Sequence, residues 1–416
     1  MREMKDSGIE WIGQIPKGWE LRRAKTLFTQ RNSKGNGIEV LLSPTQKYGV
    51  VPQSQLEGVV QVKEDTDLQM FKTVHKGDFV ISLRSFQGGF EYSLYEGVCS
   101  PAYQVFYPTS PICDTYYRYL FKSQSFISKM NNLTVGIREG KNIQYVDFAN
   151  SQIPVPPLAE QERIAAFLDA ECAEIDTVLE KTRASIEEYK KLKQAVITQA
   201  VTKGIRGDRP MKDSGIEWIG EISQDFEVVK LKWLCDVLDQ FRSPVTADKR
   251  NQNADVLYDY YGASGAIDKI DGYTIDDHVM LIGEDGANLR MRNLPIMYEI
   301  NGKAWVNNHA HILKPKAGVD FYFIFYALEA LDLNYYITGS AQPKLSQDNL
   351  RNIWVPITDF TGQKRIAAYI SNVCDEFDCL IAKKQQYLTE IETYKKSLIY
   401  EYVTGKKEVK TSVLAD

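Results

Sequence analysis

The string MKDSGIEWIG occurs twice in this chain, from Met4 to Gly13 and again from Met211 to Gly220. A second pair of related strings follows, QERIAAFL from Gln161 and QKRIAAYI from Gln363. The copies lie 207 residues apart at the first string and 202 at the second. The segments between them have similar lengths but share little sequence, which is typical of a duplicated unit. The sequence therefore predicts two equivalent domains on a repeated frame.

Each repeat ends in a proline-free stretch rich in Glu, Lys, Ala, Leu and Gln, from Glu160 to about Lys203 and from Thr361 to about Gly405. Such a composition favours a helix, here of about 65 Å at 1.5 Å per residue. Gly204 and Gly405 are plausible stops. The sequence therefore predicts two long helices.

An apolar seam of heptad spacing runs along both predicted helices, with Ala, Cys and Lys interruptions at matching places. Two similar seams favour mutual pairing, and we expect an antiparallel coiled coil about a pseudo-twofold axis. The sequence also permits parallel pairing, or a helix that lies on its own domain core. The predicted pairing residues are Leu168, Ile175, Leu179, Ile186, Tyr189, Ile370, Phe377, Ile381, Leu388 and Ile391.

The divergent segments combine short aromatic and β-branched strands with Gly, Pro and Asn breaks and a helix near 114–130 or 320–331. This pattern predicts an α+β fold with a mixed or antiparallel sheet and short helices in each domain. The predicted boundaries are 1–155 and 208–357 for the two divergent domains, and 156–207 and 358–416 for the two long helices and C-terminal tail.

Charge is uneven along the 416 residues, whose formal net charge is −5. Residues 15–155 hold 16 Lys and Arg against 12 Asp and Glu, whereas residues 222–357 hold 13 against 18. We therefore do not expect the whole surface to bind DNA electrostatically. Any DNA recognition would need local basic loops and a partner protein. The first residues lack the features of a secretory signal, so we expect a cytoplasmic protein.

Two polar loops follow equivalent predicted strands, RSFQGG after GDFVISL and GEDGAN after DHVMLI. Arginine suits guanine, glutamine and asparagine suit adenine, and a carboxylate can accept from cytosine N4. Plain Gly-rich turns are the alternative interpretation. The candidate base-reading residues are Arg84, Ser85, Gln87, Glu284, Asp285 and Asn288.

A second pair of matched loops precedes the long helices, GIREGKN at 136–142 and GSAQPKL at 339–345. Their polar groups suit phosphates or base edges, with a solvated loop as the alternative. The candidate residues are Arg138, Lys141, Asn142, Gln342 and Lys344.

The string NNHAH at 307–311 adds Asn307, Asn308 and His309 as candidate DNA contacts. A metal site on His309 and His311 is the alternative, but no cysteine or carboxylate accompanies them at ligand spacing. Hydrogen-bonded histidines of a sheet fit the pattern better, and we predict no metal.

Catalytic motifs are missing from the sequence. The string VPPL at 155–158 lacks the polar and aromatic groups of a methyltransferase loop, and GIREGKN lacks the spacing of a phosphate-binding loop. No Gly-x-Ser-x-Gly or His-Glu-x-x-His string is present. We therefore expect a non-catalytic protein without a cofactor of its own.

Taken in order along the chain, these strings resemble the specificity subunit of type I restriction-modification enzymes. The resemblance covers essentially the full length: MKDSGIEWIG twice, IPVPPLAEQERIAAFL with its counterpart VPITDFTGQKRIAAYI, the VTKG and VTGK helix ends, and the series YYGASG, GEDGANL, WVNNHAHIL. The second junction departs from the Pro-Pro-Leu pattern at Thr358-Asp359-Phe360, which puts the start of that helix in doubt.

The resemblance implies two target-recognition domains that each read one half of a split, asymmetric DNA sequence, with the helices as spacer. It implies modification subunits with S-adenosylmethionine that clasp the helices and methylate adenine, and restriction subunits that use ATP and magnesium. This chain would supply specificity to both kinds of partner.

Two other functions remain open at this point. One is the specificity subunit of a related restriction system whose modification and cleavage activities share a polypeptide. The other is a coiled-coil scaffold that joins two protein-binding modules without DNA, which the acidic net charge favours slightly.

Overall fold

The computed structural model describes residues 2–35, 40–56, 68–133, 143–250 and 255–410. The chain forms two compact units, residues 1–183 with 386–416, and residues 184–385. The boundary crosses both long helices, so each unit contains part of both. The sequence-based division set these helices apart as spacers, whereas in the structure their seam side chains continue the hydrophobic core of each unit.

The first unit is built around a four-stranded antiparallel sheet of order β4-β11-β8-β9, flanked by small two-stranded sheets. Its strands are β1 (Met4–Asp6), β2 (Gln14–Pro16), β3 (Glu20–Arg23), β4 (Phe28–Arg31), β5 (Leu42–Thr45), β6 (Gly49–Pro52), β7 (Lys72–Val74), β8 (Phe79–Ile81), β9 (Glu91–Tyr92), β10 (Gly97–Cys99), β11 (Gln104–Pro108) and β12 (Gln152–Val155). Its short helices are α1 (Ser85–Gly88), α2 (Asp114–Lys122), α3 (Gln124–Leu133) and α4 (Tyr145–Asn150). The long helix α5 (Leu158–Lys203) follows.

The second unit has a six-stranded sheet of order β16-β21-β19-β20-β17-β18, in which β17 and β20 are parallel and the other pairs antiparallel. Its strands are β13 (Met211–Asp213), β14 (Glu221–Ser223), β15 (Glu227–Lys230), β16 (Cys235–Val237), β17 (Tyr258–Gly262), β18 (Gly265–Ile270), β19 (Ile275–Gly283), β20 (Met297–Val306), β21 (Ala310–Pro315) and β22 (Trp354–Ile357). Its helices are α6 (Leu231–Leu234), α7 (Asn288–Met291), α8 (Phe321–Ala330), α9 (Gln347–Arg351) and the long helix α10 (Phe360–Val403).

The two sheets share a topology. Strands β16, β21, β19 and β20 occupy the positions of β4, β11, β8 and β9, and the second unit adds β17 and β18 at one edge. The predicted α+β class with mixed and antiparallel sheets is therefore confirmed. One predicted element differs: the helix expected near 114–130 is two helices, α2 and α3, because Ser123 adopts an extended conformation between them.

The repeated string MKDSGIEWIG forms the same hairpin in both units. Strand β1 pairs with β2 and β13 with β14 in the same antiparallel register. The Asp6 carboxylate accepts a hydrogen bond from the Gly8 amide at 3.0 Å, and Asp213 accepts one from Gly215 at 3.0 Å. Such aspartate turns fix the chain direction locally, so the repeated string specifies a repeated hairpin.

The long helices pack against each other in both units, and the pairing is antiparallel. In the first unit Asp176 contacts Lys395 at 2.6 Å, and Arg183 contacts Glu392 at 2.5 Å. Because positions rise along α5 as they fall along α10, the helices run in opposite directions. This confirms the predicted antiparallel pair and rules out the parallel arrangement.

The predicted seam lies at the helix interface. Its residues Leu168, Leu179, Ile186, Ile370 and Ile381 are buried. The others are half-buried: Ile175, Tyr189, Phe377, Leu388 and Ile391.

Both helices end where the sequence predicts. Gly204 and Gly405 follow the last helical turns with φ of 78° and 71°. This left-handed conformation favours glycine and ends a helix.

Two buried glutamines attach the start of each long helix to its unit. The Gln161 side-chain oxygen accepts a hydrogen bond from the Cys113 amide at 2.9 Å, and its amide donates to the Pro156 carbonyl at 2.7 Å. Gln363 makes the equivalent bonds to Asp320 and Thr358, both at 2.8 Å. The first residue of each QERIAAFL-type string therefore joins helix, junction and α2 or α8.

Among the described residues, no helix is both long and apolar enough to span a membrane.

Candidate nucleic-acid interface

The first candidate loop, after β8, contains the single helical turn α1 rather than an open loop. Arg84 precedes this turn and is exposed, and Gln87 within it is also exposed. Ser85 is buried, and its hydroxyl accepts a hydrogen bond from the Ser82 amide at 2.7 Å. The turn therefore leaves Arg84 and Gln87 available to a ligand, while Ser85 holds the turn together.

Gln46, in the turn between β5 and β6, lies beside this helical turn. Its side-chain amide donates a hydrogen bond to the Gln87 side-chain oxygen at 3.3 Å, and both residues are exposed. The paired side-chain amides keep N–H donors and the Gln46 oxygen free, and an adenine edge requires both a donor and an acceptor. The sequence analysis missed Gln46 because about forty residues separate it from Gln87, and no local pattern marks it.

An ion pair between Lys122 and the buried Glu91 supports the turn that contains Gln46. Lys122 contacts the Glu91 carboxylate at 2.5 Å and donates to the Gln46 carbonyl at 3.4 Å. Burial raises the pKa of Glu91 to about 7, against the opposing effect of the Lys122 charge. The candidates Arg138, Lys141 and Asn142 lie outside the described residues and stay predictions.

In the second unit Glu284, at the end of β19, is buried rather than presented to solvent, with 9% of its surface exposed. Its carboxylate forms ion pairs with Arg242 and with Lys344, the latter at 3.0 Å. Burial by itself would raise the pKa of Glu284, but the hydrogen bonds from Arg242 and Lys344 and the nearby His311 outweigh it and lower that pKa. Glu284 is therefore an ionised carboxylate that holds two cations.

Asp239 and His311 extend this ionic network into the interior. His311 is 1% exposed; its Nδ1 lies 2.7 Å from the Asp239 carboxylate, and its Nε2 donates to the Leu345 carbonyl at 2.8 Å. Arg242 also contacts Asp239, at 3.2 Å. The described residues contain no group of three or more side chains suited to hold a metal ion. Both ring nitrogens of His311 therefore have hydrogen-bond partners within the second unit.

The NNH segment presents some side chains and buries others. His309 is exposed, with Nδ1 2.8 Å from the Asp285 carboxylate. Asn308 is also exposed. Asn307 is buried and accepts a hydrogen bond from the His309 amide at 2.8 Å, so it shapes the turn. Position thus favours Asn308, His309 and Asp285 as contact residues and disfavours Asn307.

The loop 338–345 is tied closely to its neighbours. The Thr338 and Lys344 backbones exchange hydrogen bonds of 2.9 and 2.8 Å across its base. Gly339 has φ of 80°, and an added Cβ would lie 2.3 Å from the Gln342 carbonyl oxygen, so this position requires glycine. Gln342 and Lys344 are exposed on this fixed loop.

Asn288 does not join this group. Its side-chain amide donates to the carbonyls of Leu294 and Pro295 at 3.0 and 3.1 Å, and its oxygen accepts from the Leu294 amide at 2.8 Å. These bonds occupy the groups that would read a base and brace the following loop instead.

The structure therefore brings Glu284, Asp285, Asn308, His309 and Lys344 together and adds residues that the sequence analysis left out. Arg242, Asp239 and Gln347 belong to the same network, in which Gln347 donates to Asp239 at 2.8 Å. The sequence offers little signal for them, since Gln347 lies more than 100 residues from Asp239 and Arg242. Glu284, His311 and Lys344 of this network belong to strings that the sequence analysis singled out, whereas Asp239, Arg242 and Gln347 do not.

The molecule is thus a duplicated α+β protein in which a repeated frame and antiparallel long helices carry two unlike polar surfaces. The sequence profile of the type I restriction modification DNA specificity domain matches residues 16–188 and again 223–390. The chain belongs to this family and contains two DNA specificity domains, which confirms the resemblance and disfavours the scaffold without DNA.

The chain is also similar in sequence to proteins named as specificity subunits of type I restriction enzymes. The MjaVIII type I restriction enzyme specificity subunit of Methanocaldococcus jannaschii is 28% identical over 65% of this chain and 66% of its own length. The putative MjaX specificity subunit of the same organism is 24% identical over 96% of each chain.

A solved chain has the same fold. It comes from work on complex assembly and conformational transition of the type I R-M system, and superimposes with a TM-score of 0.71 at 16% identity, covering 94% of this chain and 99% of its own. The frame is therefore shared between chains of very different sequence.

Proposed function

We propose that this chain is the non-catalytic subunit that directs a type I restriction-modification complex to a bipartite, asymmetric DNA site. Each unit reads one half of the site. The observation that carries the proposal is a contrast between the two units. Both keep the same structural hydrogen bonds, such as those of Gln161 and Gln363, but they present different exposed side chains.

The first unit contacts DNA through Arg84, Gln87 and Gln46, together with the predicted contacts Arg138, Lys141 and Asn142. Base edges accept such side chains in the major groove, and lysines and arginines add phosphate contacts. The second unit contacts DNA through Asp285, Asn308, His309, Gln342 and Lys344.

The paired helices set the distance between the half-sites and receive the partner proteins. A spacer of about 65 Å limits the separation of the half-sites to about two duplex turns. Methyltransferase subunits with S-adenosylmethionine and restriction subunits with ATP and magnesium supply the chemistry, and the complex works in the cytoplasm. The family resemblance supports these partners, since catalytic motifs are missing from this sequence.

The test is single-molecule sequencing of DNA from cells that express the chain with its methyltransferase, with and without exchange of residues 15–155 for those of a related subunit. We expect a bipartite methyladenine motif in which the exchange changes one half only. A matched control carries an inactive methyltransferase. Methylation that does not depend on the chain, or an exchange that alters both halves, would overturn the proposal.

A further inference from the structure

We propose that Glu284 is a positioning residue for DNA recognition rather than a base contact, and that it joins four segments of the second unit into one recognition surface. The proposal rests on the function proposed above. We call this surface the Glu284 platform; its segments are 239–242, 283–286, 307–311 and 338–345.

The main chain of Glu284 connects two of these segments. Its amide donates to the His309 carbonyl at 2.8 Å, and its carbonyl accepts from the Leu345 amide at 2.7 Å. The amide of Gly286 donates to the Pro343 carbonyl at 3.0 Å. Three segments are thus held in register before any side chain is considered.

The Glu284 carboxylate adds the fourth segment and orients two cations. One oxygen binds the Arg242 guanidinium, which also donates to the Ala310 carbonyl at 3.3 Å. The other oxygen binds the Lys344 ammonium, whose side chain remains 55% exposed. Glu284 itself is 9% exposed, so Lys344 stands between it and solvent. The exposed ammonium, and not the buried carboxylate, is therefore the charged group available to a DNA phosphate.

Charge balance makes the role testable. Asp239 and Glu284 face the cations Arg242 and Lys344, and the His311 ring lies 2.7 Å from Asp239 and 3.7 Å from Glu284. Replacement of Glu284 by Gln leaves one cation without a partner at the surface, which strengthens attraction to any phosphate backbone while the cations lose their fixed direction. Affinity for unrelated DNA and discrimination between sequences are therefore expected to change in opposite directions.

The first arm of the experiment needs no DNA. Hydrogen–deuterium exchange is compared for the full chain, E284Q and the control D285N, which removes the neighbouring carboxylate that pairs only with His309 among the described residues. We expect faster exchange in 338–345 for E284Q and no such change for D285N. Unchanged exchange in E284Q would overturn the positioning role, whatever the chain binds.

The second arm uses the complex of the full chain with its methyltransferase and measures binding to the cognate duplex and to duplexes with single changes in either half-site. For E284Q we expect about tenfold lower discrimination at every base pair of the second half-site. We expect unchanged discrimination in the first half-site, and a salt dependence steeper by about 0.9 in log–log slope.

Other outcomes contradict the proposal in distinct ways. Relaxation at one base pair only would make Glu284 a base contact. Uniform loss of affinity with unchanged discrimination would make its role purely structural. If the unaltered complex discriminates no sequence, the proposed function fails, while the exchange arm still decides the positioning role.

A second variant guards against misfolding of E284Q. Lys344 is exposed, so K344Q is expected to fold and to weaken binding to all duplexes alike, with a salt slope shallower by about 0.9. Unchanged binding by K344Q would show that Glu284 presents no cation to DNA and would overturn the proposal.

Discussion

The first unit packs aromatic rings against its central sheet, whereas the second fills the corresponding space mainly with aliphatic side chains. The buried rings of Phe28, Phe79, Phe106 and Phe121 have centroids 5.1 to 6.1 Å apart. In the second unit the corresponding core residues are Met280, Ile282, Leu313, Phe323, Ile324 and Leu328. The same topology therefore accepts different packing, because volume and apolar character matter more to a core than side-chain identity.

A second comparison shows a hydrogen bond that both units keep although different side chains make it. Gln104 on β11 and His311 on β21 hold equivalent positions. The Gln104 amide donates to the Ile143 carbonyl at 3.3 Å, and His311 Nε2 donates to the equivalent Leu345 carbonyl at 2.8 Å. Both units therefore keep a hydrogen bond from the sheet to the segment before the last short helix, although the donor side chain differs.

The largest effect is expected in the aromatic core. Phe106→Ala is expected to destabilise the first unit by about 3–5 kcal/mol, because a buried ring leaves a cavity. Leu313, which pairs with Met280 as Phe106 pairs with Phe79, is the matched position, and Leu313→Ala is expected to cost about 2–4 kcal/mol. Denaturant unfolding of both full-length variants measures the difference. A larger loss for Leu313→Ala would refute the comparison of the two cores.

The next effect concerns the glutamines that the units share. Gln161→Ala and Gln363→Ala are each expected to lower the free energy of unfolding by about 1–3 kcal/mol, because each leaves a buried backbone amide and carbonyl unpaired. The two losses are expected to be similar, since the bonds are equivalent. Gln199→Ala, at an exposed position of α5, is the control and is expected to change stability by less than about 0.5 kcal/mol. A large difference between Gln161→Ala and Gln363→Ala would show that the tie matters in one unit only.

The two buried glutamates are expected to give opposite pH dependence. Burial raises the pKa of Glu91 to about 7, so the folded first unit binds a proton more tightly than the unfolded chain, and its stability falls as pH rises from about 4.5 through 7. The pKa of Glu284 is lowered, so its contribution is present above about 4.5 and is lost as pH falls through the lowered value.

Glu91→Gln measures the first of these contributions. The variant is expected to have a flatter stability profile between pH 5 and 7 than the natural chain, because the carboxyl group whose pKa is raised by burial is then absent. Unfolding midpoints across this pH range provide the measurement, and Glu96→Gln, at an exposed position of the same unit, is the control. A variant as pH-dependent as the natural chain would contradict the assignment to Glu91.

The smallest effect is expected at the helix pair. Asp378 and Lys395 lie 202 positions after Asp176 and Lys193, so the pairs Asp176–Lys395 and Lys193–Asp378 are the same interaction in the two units. Lys395→Glu and Lys193→Glu are each expected to cost about 0.2–1 kcal/mol, less at high salt.

Reversal of both partners of one pair, as in Asp176→Lys with Lys395→Glu, is expected to restore most of that stability. The ion pair of Arg183 with Glu392 is not repeated as an ion pair in the second unit, because the uncharged Gln385 occupies the position equivalent to Arg183. Arg183→Glu with Glu392→Arg therefore tests a contact of one unit only. If Lys395→Glu and Lys193→Glu lowered stability by clearly different amounts, the two repeated ion pairs would not be equivalent.

Much of the frame follows from local patterns. Heptad spacing predicted the seam residues from Leu168 to Ile391, and the composition of the two stretches predicted both helices and their glycine stops. Local composition also predicted the short strands of the divergent segments. These features depend on neighbours within a few residues, so a single sequence is sufficient to find them.

The recognition surface was predicted less well. Strand-to-loop position drew attention to Arg84, Gln87 and Lys344, which are exposed, and to Asp285, which is half-buried. It did not reveal that Ser85 and Asn307 are buried or that the Asn288 side chain is fully bonded. A polar residue in a loop can face solvent or close a turn, and only the packing of distant segments distinguishes the two.

The sequence by itself determined the duplication, the α+β class, the paired helices and the family of the chain, because each leaves a periodic or repeated trace. The tertiary structure alone decided that Glu284 is a buried tether, that Arg242 and Asp239 join it, and that Gln46 meets Gln87. Those contacts join residues far apart in the chain. Their energies depend on burial and charge in three dimensions, and neither quantity leaves a period in the sequence.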